Sequence, residues 1–401
     1  MLRFLTAGES HGPCLMGIVE GMPAGLSLTE DDINRDLARR QVGYGRGGRM
    51  KIEQDRAEIL GGVARGKTTG APIALRIENR DWVNWKDREL EPLTVPRPGH
   101  ADLTGALKYG LDDLRLVSER ASARETAMRV AIGAIARRLL AEFDITIGSY
   151  VVEIGGVVAQ VPDLSYEELF ARAEASDVRC PDPEAAGAMR ERIREARRRK
   201  DTVGGVFVVV ATGVPVGLGS HVHWDRRLSG RLAGAVMSIP AIKGVEIGPA
   251  FENARKMGTE VHDEIFVERD KGQGTRDEET RNSLLITRYS NRAGGLEGGI
   301  TNGQPVVVRA AMKPISTTLT PLRSVDLSTG QPATTQYQRS DICAVPAAAV
   351  VGEAMVAWVL AEALVEKLGG DSLAEMKGGA LSLGLSPVET SSKGRFEAWT
   401  V

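Results

Sequence analysis

The sequence contains few aromatic residues and few cysteines. Aromatic side chains make up 4% of the 401 residues, which argues against a protein that stacks on the bases of single-stranded nucleic acid. The three cysteines lie far apart and form no CxxC pair, so neither a zinc ribbon nor a disulfide scaffold is predicted. Such cysteine usage is typical of a reducing compartment, and we expect a cytoplasmic protein.

An excess of charge of one sign and a long apolar run are also lacking. The 51 basic and 53 acidic residues leave a net charge of −2, which excludes a protein whose whole surface binds nucleic acid or anionic lipid. Arg3 interrupts the N-terminal apolar residues before a signal-peptide core can form. The most apolar segment, 346–368, contains three glutamates, and its uncharged runs are shorter than the ~20 residues of a membrane span. We therefore expect no membrane partner.

Strand-like and helical segments alternate along the chain, which predicts an α/β fold. No Gly/Ser or Pro linker divides the sequence, so we expect a single domain over 1–401. The charged stretch 163–200 is expected to form a helical excursion from it, because its last eleven residues include seven basic and two acidic side chains. The predicted strands are 17–20, 50–52, 73–77, 150–158, 206–212 and 306–312. The last two are nearly continuous β-branched runs, typical of strands covered on both faces.

Capping signals predict where three helices begin. Thr29 and Asp32 have the spacing of a capping box before a helix over 30–40. Ser122 and Glu125 have the same spacing before a helix that ends near 143. Pro346 suits the first turn of a C-terminal helix, which the glycines after Leu368 would end.

Two glycine motifs match nucleotide-binding patterns but stand in the wrong context. Residues 61–68 match the phosphate loop GxxxxGK[ST], which must open a helix, yet Gly70 and Pro72 follow and a strand is predicted there. Residues 43–48 match GxGxxG but follow a helix and precede a strand, the reverse of a dinucleotide site. Residues 61–62 and 72–76 also resemble 298–299 and 305–309, a weak sign of an internal duplication.

The segment 39–51 combines cations with glycines and contains no acidic residue. Its cations are Arg39, Arg40, Arg46, Arg49 and Lys51. Glycine allows close approach of the backbone to a ligand, and arginine pairs with phosphate or carboxylate through two parallel hydrogen bonds. These cations would repel one another without an anion, so the segment predicts an anion-binding loop.

Two of the five histidines lie in glycine-containing turns, where catalytic residues are often found. These are His11 and His100, and histidine is the usual proton donor or acceptor near neutral pH. His221 and His223 would face one way on a strand, but the few neighbouring ligands favour a surface pair over a metal site. We expect no metal ion.

Further anion-binding candidates occur later in the chain. Arg120 and Ser122 are expected at a helix N-terminus, where free amides favour phosphate. Arg124 and Arg129 follow on the same helix and are interpreted as too charged for the core. The remaining candidates are the glycine-rich loop 290–303, the segment 313–318 that ends a strand with a cation, and the segment 339–341. Together these features predict an enzyme that uses histidine acid–base chemistry on multiply anionic small molecules.

The motifs in this order resemble those of the chorismate synthase family. The segments that carry the resemblance are 8–12, 40–55, 97–102, 120–129, 244–248, 293–302, 313–317, 339–341 and 345–346. The resemblance implies a β-α-β sandwich, usually assembled as a homotetramer. It also implies a carbon–oxygen lyase of the shikimate pathway to aromatic amino acids. That enzyme converts 5-enolpyruvylshikimate 3-phosphate to chorismate and phosphate by anti-1,4-elimination and requires reduced FMN.

The resemblance also implies roles for individual residues. His11 and His100 would form the acid–base pair, with their separate roles unassigned, and Asp341 would act near the flavin. FMN contacts would come from Arg120, Ala121, Ser122, Pro240, Ala241, Gly298, Lys313, Pro314, Ile315, Ser316, Thr317 and Arg339. Arg40 and Arg46 match positions assigned to NADP in the family, although we interpret them, with Arg49, as binding the substrate. Ser10, Arg124 and Arg129 are further substrate candidates.

The source of reduced flavin follows from the same reasoning. Because no dinucleotide motif stands in the required context, we expect an external flavin reductase as partner and NADPH only as an indirect reductant. Two other functions remain as alternatives. One is phosphoryl transfer with ATP at 61–68, and the other is nucleic-acid binding through 190–200.

Overall fold

Two antiparallel sheets enclose a layer of helices in the computed structural model, which describes residues 1–48, 52–269 and 284–383. The first sheet has the order β1-β2-β6-β3, and β4 and β5 form a hairpin between β3 and β6. The strands are β1 (Arg3–Ala7), β2 (Cys14–Glu20), β3 (Ala57–Gly61), β4 (Val63–Ala64), β5 (Lys67–Thr68) and β6 (Ile73–Glu78). The side chains of β2 alternate between buried and exposed, so one face of this sheet covers the core.

The second sheet has the order β10-β15-β9-β7-β8, and three short hairpins stand apart from it. Its strands are β7 (Thr146–Ile154), β8 (Val157–Val158), β9 (Gly205–Thr212), β10 (Ile242–Ile247) and β15 (Val306–Met312). The hairpins pair β11 (Ile265–Arg269) with β12 (Leu284–Arg288), β13 (Leu296–Glu297) with β14 (Ile300–Thr301), and β16 (Arg323–Val325) with β17 (Pro332–Thr334).

Helices α4 and α10 form the centre of the core. The helices are α1 (Glu30–Gln41), α2 (Asp102–Tyr109), α3 (Leu114–Ala121), α4 (Thr126–Ala141), α5 (Tyr166–Ala175), α6 (Pro183–Arg198), α7 (Leu228–Met237), α8 (Ala250–Asn253), α9 (Gly258–Val261), α10 (Val345–Leu368) and α11 (Leu373–Ser382). Helix α10 packs against α4, β7 and β9, while α4 also packs against β2. A Cβ on Gly133 would lie 2.3 Å from the Cβ of Ala354, so the close approach of α4 and α10 requires glycine there.

Helix α10 is also long and apolar enough to cross a membrane. However, 89% of its most apolar window is buried inside the protein. Among the described helices it is the one that passes this test. Its composition is therefore explained by its place in the core.

The charged stretch 163–200 packs against the second sheet instead of projecting from the molecule. Leu169 and Ala173 of α5 pack on Tyr150, Val152 and β9. Helix α6 buries a face that includes Met189 and Ile193, and its basic residues occupy the opposite face. The interpretation as a helical excursion missed this amphipathic pattern, which spaces the apolar residues by three or four positions.

Most of the predicted elements are confirmed, with three differences. The segment 150–158 divides into β7 and β8, because Gly155 and Gly156 adopt φ of 58° and 86° and form a hairpin turn. The predicted strand 50–52 lies mostly outside the described residues. The segment that begins at Pro346 is not the last helix, since α11 follows.

The capping box predicted at Ser122 is wrong, whereas that at Thr29 is confirmed. Ser122 accepts from the amide of Arg124 at a single 3₁₀ turn, Ala123–Glu125, that precedes α4. Glu125 pairs with Arg129, at 2.7 Å, and does not reach back to the cap. A competing ion pair within the helix thus decides the orientation of this carboxylate.

The internal duplication is real, although its register differs from the one read in the sequence. Residues 61–77 align without a gap to 294–310, so that the hairpin β4-β5 with β6 matches the hairpin β13-β14 with β15. Gly61 and Gly62 therefore match Gly294 and Gly295, not residues 298–299.

The two copies share one hydrogen-bond pattern. The Oγ1 of Thr68 donates to the carbonyl of Pro23, at 2.6 Å, and accepts from the amide of Leu26, at 3.0 Å. The Oγ1 of Thr301 makes the same two bonds within 215–218, at 2.6 and 2.8 Å. The phosphate-loop pattern at 61–68 is thus one copy of a structural hairpin, and no helix follows it.

Candidate active site

His11 lies in the turn between β1 and β2 and is held by a residue from α3. Its Nδ1 is 2.7 Å from the Oε1 of Glu119, and its backbone amide donates to Oε2 at 2.6 Å. The ring of Trp85 packs on the imidazole, with the ring centroids 4.1 Å apart. His11 is therefore fixed from three sides and is still 23% exposed.

His100 lies in the turn before α2 and has a carboxylate partner of its own. Its Nδ1 is 2.6 Å from the Oδ1 of Asp102. The Asp102 carboxylate also accepts three bonds from Arg97, from the backbone amide to Oδ2 at 3.1 Å, from Nε to Oδ2 at 2.7 Å and from Nη2 to Oδ1 at 3.0 Å. Burial opposes ionisation of Asp102, but the hydrogen bonds from His100 and Arg97 outweigh it and hold the pKa of this carboxyl well below its usual range.

The loop after β15 joins the turn that contains His100. Ser316 donates from Oγ to the carbonyl of Gly99, at 2.8 Å, and Arg97 donates from Nη1 to the Oγ1 of Thr317, at 3.0 Å. Lys313 donates to the Oγ of Ser316, at 2.8 Å. Burial and repulsion from Lys243 lower the pKa of Lys313.

Asp341 links the segment before α10 to the glycine-rich loop after α1. It accepts from Arg46 Nη1 at 2.7 Å and from the amide of Gly47 at 2.6 Å. Ser340 donates to the carbonyl of Thr317, at 2.9 Å. The carboxylate therefore holds the loop 43–48 next to the segment 313–317.

Asp81 links the contacts of His11 to those of His100, so that the two sets form one continuous network. It accepts from Arg339, at 2.6 Å, and from the indole of Trp85, at 3.2 Å, and the ring of Trp85 packs on His11. Arg97 donates to Ser118 at 2.6 Å, and Ser118 precedes the carboxylate that holds His11. The structure thus brings His11, His100, Asp341, Arg339, Ser316 and Thr317 into one site.

Beneath the turn of His11 lies a buried group of arginines and carboxylates. Arg124 pairs with Asp55 and donates from Nε to Asn79 at 2.8 Å. Asn79 in turn donates to the carbonyls of Glu9 and Gly12. The interpretation of Arg124 as too charged for the core is wrong, since it is 4% exposed and its charge is balanced by Asp55.

Arg40 belongs to the same buried group. It donates to Thr126 Oγ1 at 2.9 Å and to the carbonyl of Ala123 at 2.8 Å. Burial and repulsion from Arg46 and Arg124 lower the pKa of Arg40 to about 10, against the attraction of Asp55. Arg46 and Arg124 therefore both lie close enough to Arg40 to repel its guanidinium at this side of the site.

The anion-binding loop over 39–51 stays a prediction, and one argument for it fails. The argument that its cations lack an acidic partner is wrong, because carboxylates distant in sequence pair with each described arginine. Arg39 points into the core, where it donates two bonds to Glu353, at 2.8 and 2.9 Å. Arg46 pairs with Asp341 at the site. Arg49 and Lys51 lie outside the described residues.

Ser10 and Ser122 meet at the edge of the site. The Oγ of Ser122 donates to the Oγ of Ser10, at 3.1 Å. Arg120 donates to the carbonyl of Gly8, at 3.1 Å, and to Thr6. Arg120 occupies the last turn of α3, so its expected place at a helix N-terminus is wrong, whereas Ser122 caps the 3₁₀ turn that precedes α4. Local charge pattern does not separate the end of one short helix from the start of the next.

A second group of predicted residues lies beside Lys313. Arg129 donates to the Oγ of Ser238, at 2.7 Å, two residues before Pro240. Ala241 adopts φ of 68° and accepts from the amide of Lys313, at 2.9 Å. Gly298, by contrast, lies in the turn of the β13-β14 hairpin near His221, and none of its described contacts joins this group.

His221 and His223 lie in a bend and not on the expected strand. His223 pairs with Asp225 at 2.7 Å in an exposed position. Within the described part of the chain, no three His, Cys, Asp or Glu side chains form a group that could hold a metal ion.

Sequence reasoning missed the partners of both histidines. Asp102 stands two residues after His100, and this spacing was a local signal that could have found it. Glu119 is separated from His11 by 108 residues, so no local pattern relates them. Asp55, Asp81 and Trp85 were missed for the same reason.

A family model described as chorismate synthase matches residues 2–365. The chain is 55% identical over 394 residues to the chorismate synthase of Chlorobaculum tepidum, which covers 94% of this chain and 96% of that protein. It is 58% identical over 381 residues to the chorismate synthase of Moorella thermoacetica, with 93% and 96% covered.

A solved structure described as the crystal structure of chorismate synthase has the same fold. The TM-score is 0.76 at 46% identity, and the match covers 96% of this chain and 98% of that one. Together with the two sheets and the helical layer between them, this similarity confirms the predicted α/β sandwich.

Proposed function

The chain belongs to the chorismate synthase family, and from this we propose that it converts 5-enolpyruvylshikimate 3-phosphate to chorismate and phosphate. In this anti-1,4-elimination a C–H bond and the allylic C–O bond to phosphate break, a new double bond forms, and no net oxidation occurs. The observation that carries the proposal is the continuous network of contacts that holds His11 and His100 next to cationic groups.

The charges of the site support binding of a substrate with one phosphate and two carboxylates. Arg46 and Arg49 are proposed to bind these anions from the loop after α1, with Ser10 and Arg129 as further contacts. Arg40 and Arg124 are buried and bonded within the protein. Their proposed contribution is therefore the positive potential that they create together with Arg46.

The residues around Lys313 fit reduced FMN. They offer the cation of Lys313, whose pKa is lowered by burial and by repulsion from Lys243, hydroxyl donors at Ser316 and Thr317, and the guanidinium of Arg339. Such donors suit a phosphate and ring carbonyls. Arg120, Ala121, Ser122, Pro240, Ala241, Gly298, Pro314 and Ile315 are proposed to complete this contact set. When bound, reduced FMN would supply electron density to the substrate as the phosphate departs.

His11 and His100 are proposed as the acid–base pair, with Asp341 as a third participant. One imidazole would protonate the departing phosphate, and the other would hold a proton at the flavin side. Both rings are partly exposed, at 23% and 19%, so a ligand can reach them while their carboxylate partners stay covered.

An external flavin reductase is proposed as the source of reduced FMN, with NADPH only as an indirect reductant. The GxGxxG pattern at 43–48 forms a loop that Asp341 holds, after a helix and not before one. Arg40, which matches a position assigned to NADP, is 4% exposed and already bonded within the protein. Both observations favour an enzyme that does not reduce its own flavin.

A homotetramer in the cytoplasm is the proposed state of the protein. The outer face of the first sheet exposes Leu5, Met16 and Ile18, and Leu5 stands opposite Ile18 in the strand register. A second copy of the chain would cover these apolar side chains. The three cysteines are unpaired, which favours a reducing compartment.

The decisive experiment is an anaerobic assay with photoreduced FMN and 5-enolpyruvylshikimate 3-phosphate, in which chorismate absorbance is followed. We expect turnover by the wild type and a loss of about 10²–10⁴-fold in His11→Ala and in His100→Ala, the usual contribution of a general acid or base. His223→Ala, at an exposed histidine, is the control and should match the wild type. No chorismate from the wild type would refute the proposal.

The alternative of nucleic-acid binding through 190–200 gains no support from the structure. Arg190, Arg192, Arg194 and Arg199 each pair with a nearby carboxylate. Such pairing offsets part of the positive charge that would otherwise attract phosphates.

A further inference from the structure

Each proposed catalytic histidine has a carboxylate at the same ring nitrogen. Glu119 lies 2.7 Å from Nδ1 of His11, and Asp102 lies 2.6 Å from Nδ1 of His100. The two carboxylates come from different helices, α3 and α2. Their shared position at Nδ1 is thus not the result of one local motif.

We propose that Glu119 and Asp102 are positioning residues that hold their histidines in the tautomer with the proton on Nδ1. An ionised carboxylate can only accept a hydrogen bond, so Nδ1 carries the proton and donates it to that bond. In the neutral ring the free lone pair is then on Nε2. Nε2 is then the atom that takes and returns a proton in the reaction. The catalytic part of this inference rests on the proposed function. The tautomers of the two histidines do not depend on it.

Burial makes these contacts effective. The side chains of Glu119 and Asp102 are 16% and 4% exposed, and a hydrogen bond shielded from water is electrostatically stronger than an exposed one. Further contacts fix both carboxylates in place. Glu119 accepts from the amide of His11, and Asp102 accepts from Arg97.

A cation also lies next to His100. It is Arg97, whose Nη2 is 3.1 Å from Nδ1 and 3.5 Å from Nε2. A guanidinium beside the ring disfavours a second positive charge, whereas Asp102 favours one. Removal of Asp102 alone therefore leaves His100 next to an unopposed cation.

The chain offers a matched control. His223 and Asp225 have the same separation in sequence as His100 and Asp102, and the same Nδ1 to Oδ1 contact, at 2.7 Å. This pair is exposed, at 60% and 58%. Water therefore screens the interaction, and Asp225 should have little influence on its histidine.

The test measures exchange of the imidazole C2 proton by mass spectrometry as a function of pH, which gives an exchange profile for each histidine in one digest. We expect Glu119→Gln to displace the profile of His11, and Asp102→Asn that of His100, because each variant removes an adjacent opposite charge. Each variant should leave the other histidines unchanged. Asp225→Asn should leave the profile of His223 nearly unchanged, because water screens the exposed pair.

Turnover of the same variants completes the test. Loss of the carboxylate that orients a catalytic histidine costs up to about 10⁴-fold in serine proteases, and we expect a loss of at least about tenfold in kcat for each variant, with a shifted pH profile. Glu119→Asp and Asp102→Glu keep the charge and should restore part of the activity. Asp225→Asn should retain full activity.

Unchanged exchange profiles for His11 and His100, in folded variants with low activity, would overturn the proposal and leave the carboxylates a purely structural role. Should Asp102→Asn fail to fold, Glu119→Gln decides the question by itself, because its exchange profile needs no activity. Shifted profiles together with a wild type that makes no chorismate would uphold the positioning and refute the proposed function.

Discussion

At the scale of single residues, Arg39 and Arg46 show how different two cations of one glycine-rich segment can be. Arg39 donates to Glu353, which is fully buried on α10 and also pairs with Arg137 and Arg179. Arg46 faces the site and pairs with Asp341, whose side chain is 20% exposed. One arginine therefore serves the stability of the core, and the other is the one proposed to contact the substrate.

We expect the two alanine variants to separate these roles. Arg39→Ala leaves part of a buried charge uncompensated and should lower the free energy of unfolding by about 3 kcal/mol, with KM for the phosphorylated substrate unchanged. Arg46→Ala should raise that KM at least about tenfold, the loss of a charge-assisted hydrogen bond. Urea unfolding and steady-state kinetics give the two quantities. An unchanged KM in Arg46→Ala would contradict its proposed contact with the substrate.

At the scale of elements, the duplicated hairpin explains a motif that looks like a phosphate loop. Thr68 and Thr301 are buried at 4% and 1% and make the same hydrogen bonds in the two copies. Lys67 is exposed at the turn end of its hairpin, and the position that matches it is Ile300. The lysine is thus not required by the element, whereas the threonine is.

Substitution at these positions should distinguish a structural hairpin from a nucleotide site. Thr68→Val and Thr301→Val each leave a buried amide and a buried carbonyl without their partner, and each should cost about 1–3 kcal/mol in urea unfolding. Lys67→Ala should cost less than about 0.5 kcal/mol and keep full turnover. Binding of ATP with Mg²⁺ that disappears in Lys67→Ala would support phosphoryl transfer instead.

At the scale of the whole molecule, the first sheet covers the core with one face and exposes an apolar row on the other. Leu5 is 75% exposed and stands opposite Ile18, which in turn pairs with Ala74. The pairs Arg3–Glu20 and Arg76–Glu58 border this row. An apolar centre with a charged rim is typical of an interface between subunits.

A charge in the centre of this face should therefore weaken the proposed tetramer. We expect Leu5→Glu to reduce the mass measured by light scattering to half or less of the wild-type value, because the interface would bury an unpaired carboxylate. Val216→Glu, at an exposed apolar residue outside the sheet, should leave the mass unchanged. A Leu5→Glu protein that remains a tetramer would place the interface elsewhere.

The sequence by itself determined the features that depend on neighbouring residues. The β-branched runs of β9 and β15, the capping box at Thr29 and the proline at the start of α10 were all predicted, because strand period, capping and proline geometry act within a few residues. The turns of His11 and His100 were found for the same reason, since glycine next to histidine is a local pattern.

Only the tertiary structure decided which charges meet. Glu119 reaches His11 across 108 residues, and Arg46 reaches Asp341 across 295. It also decided that Arg124 is buried and that the charged stretch 163–200 packs on the second sheet. Ion pairs and burial depend on groups that folding brings together, and a pair separated by hundreds of residues has no period or spacing in the sequence.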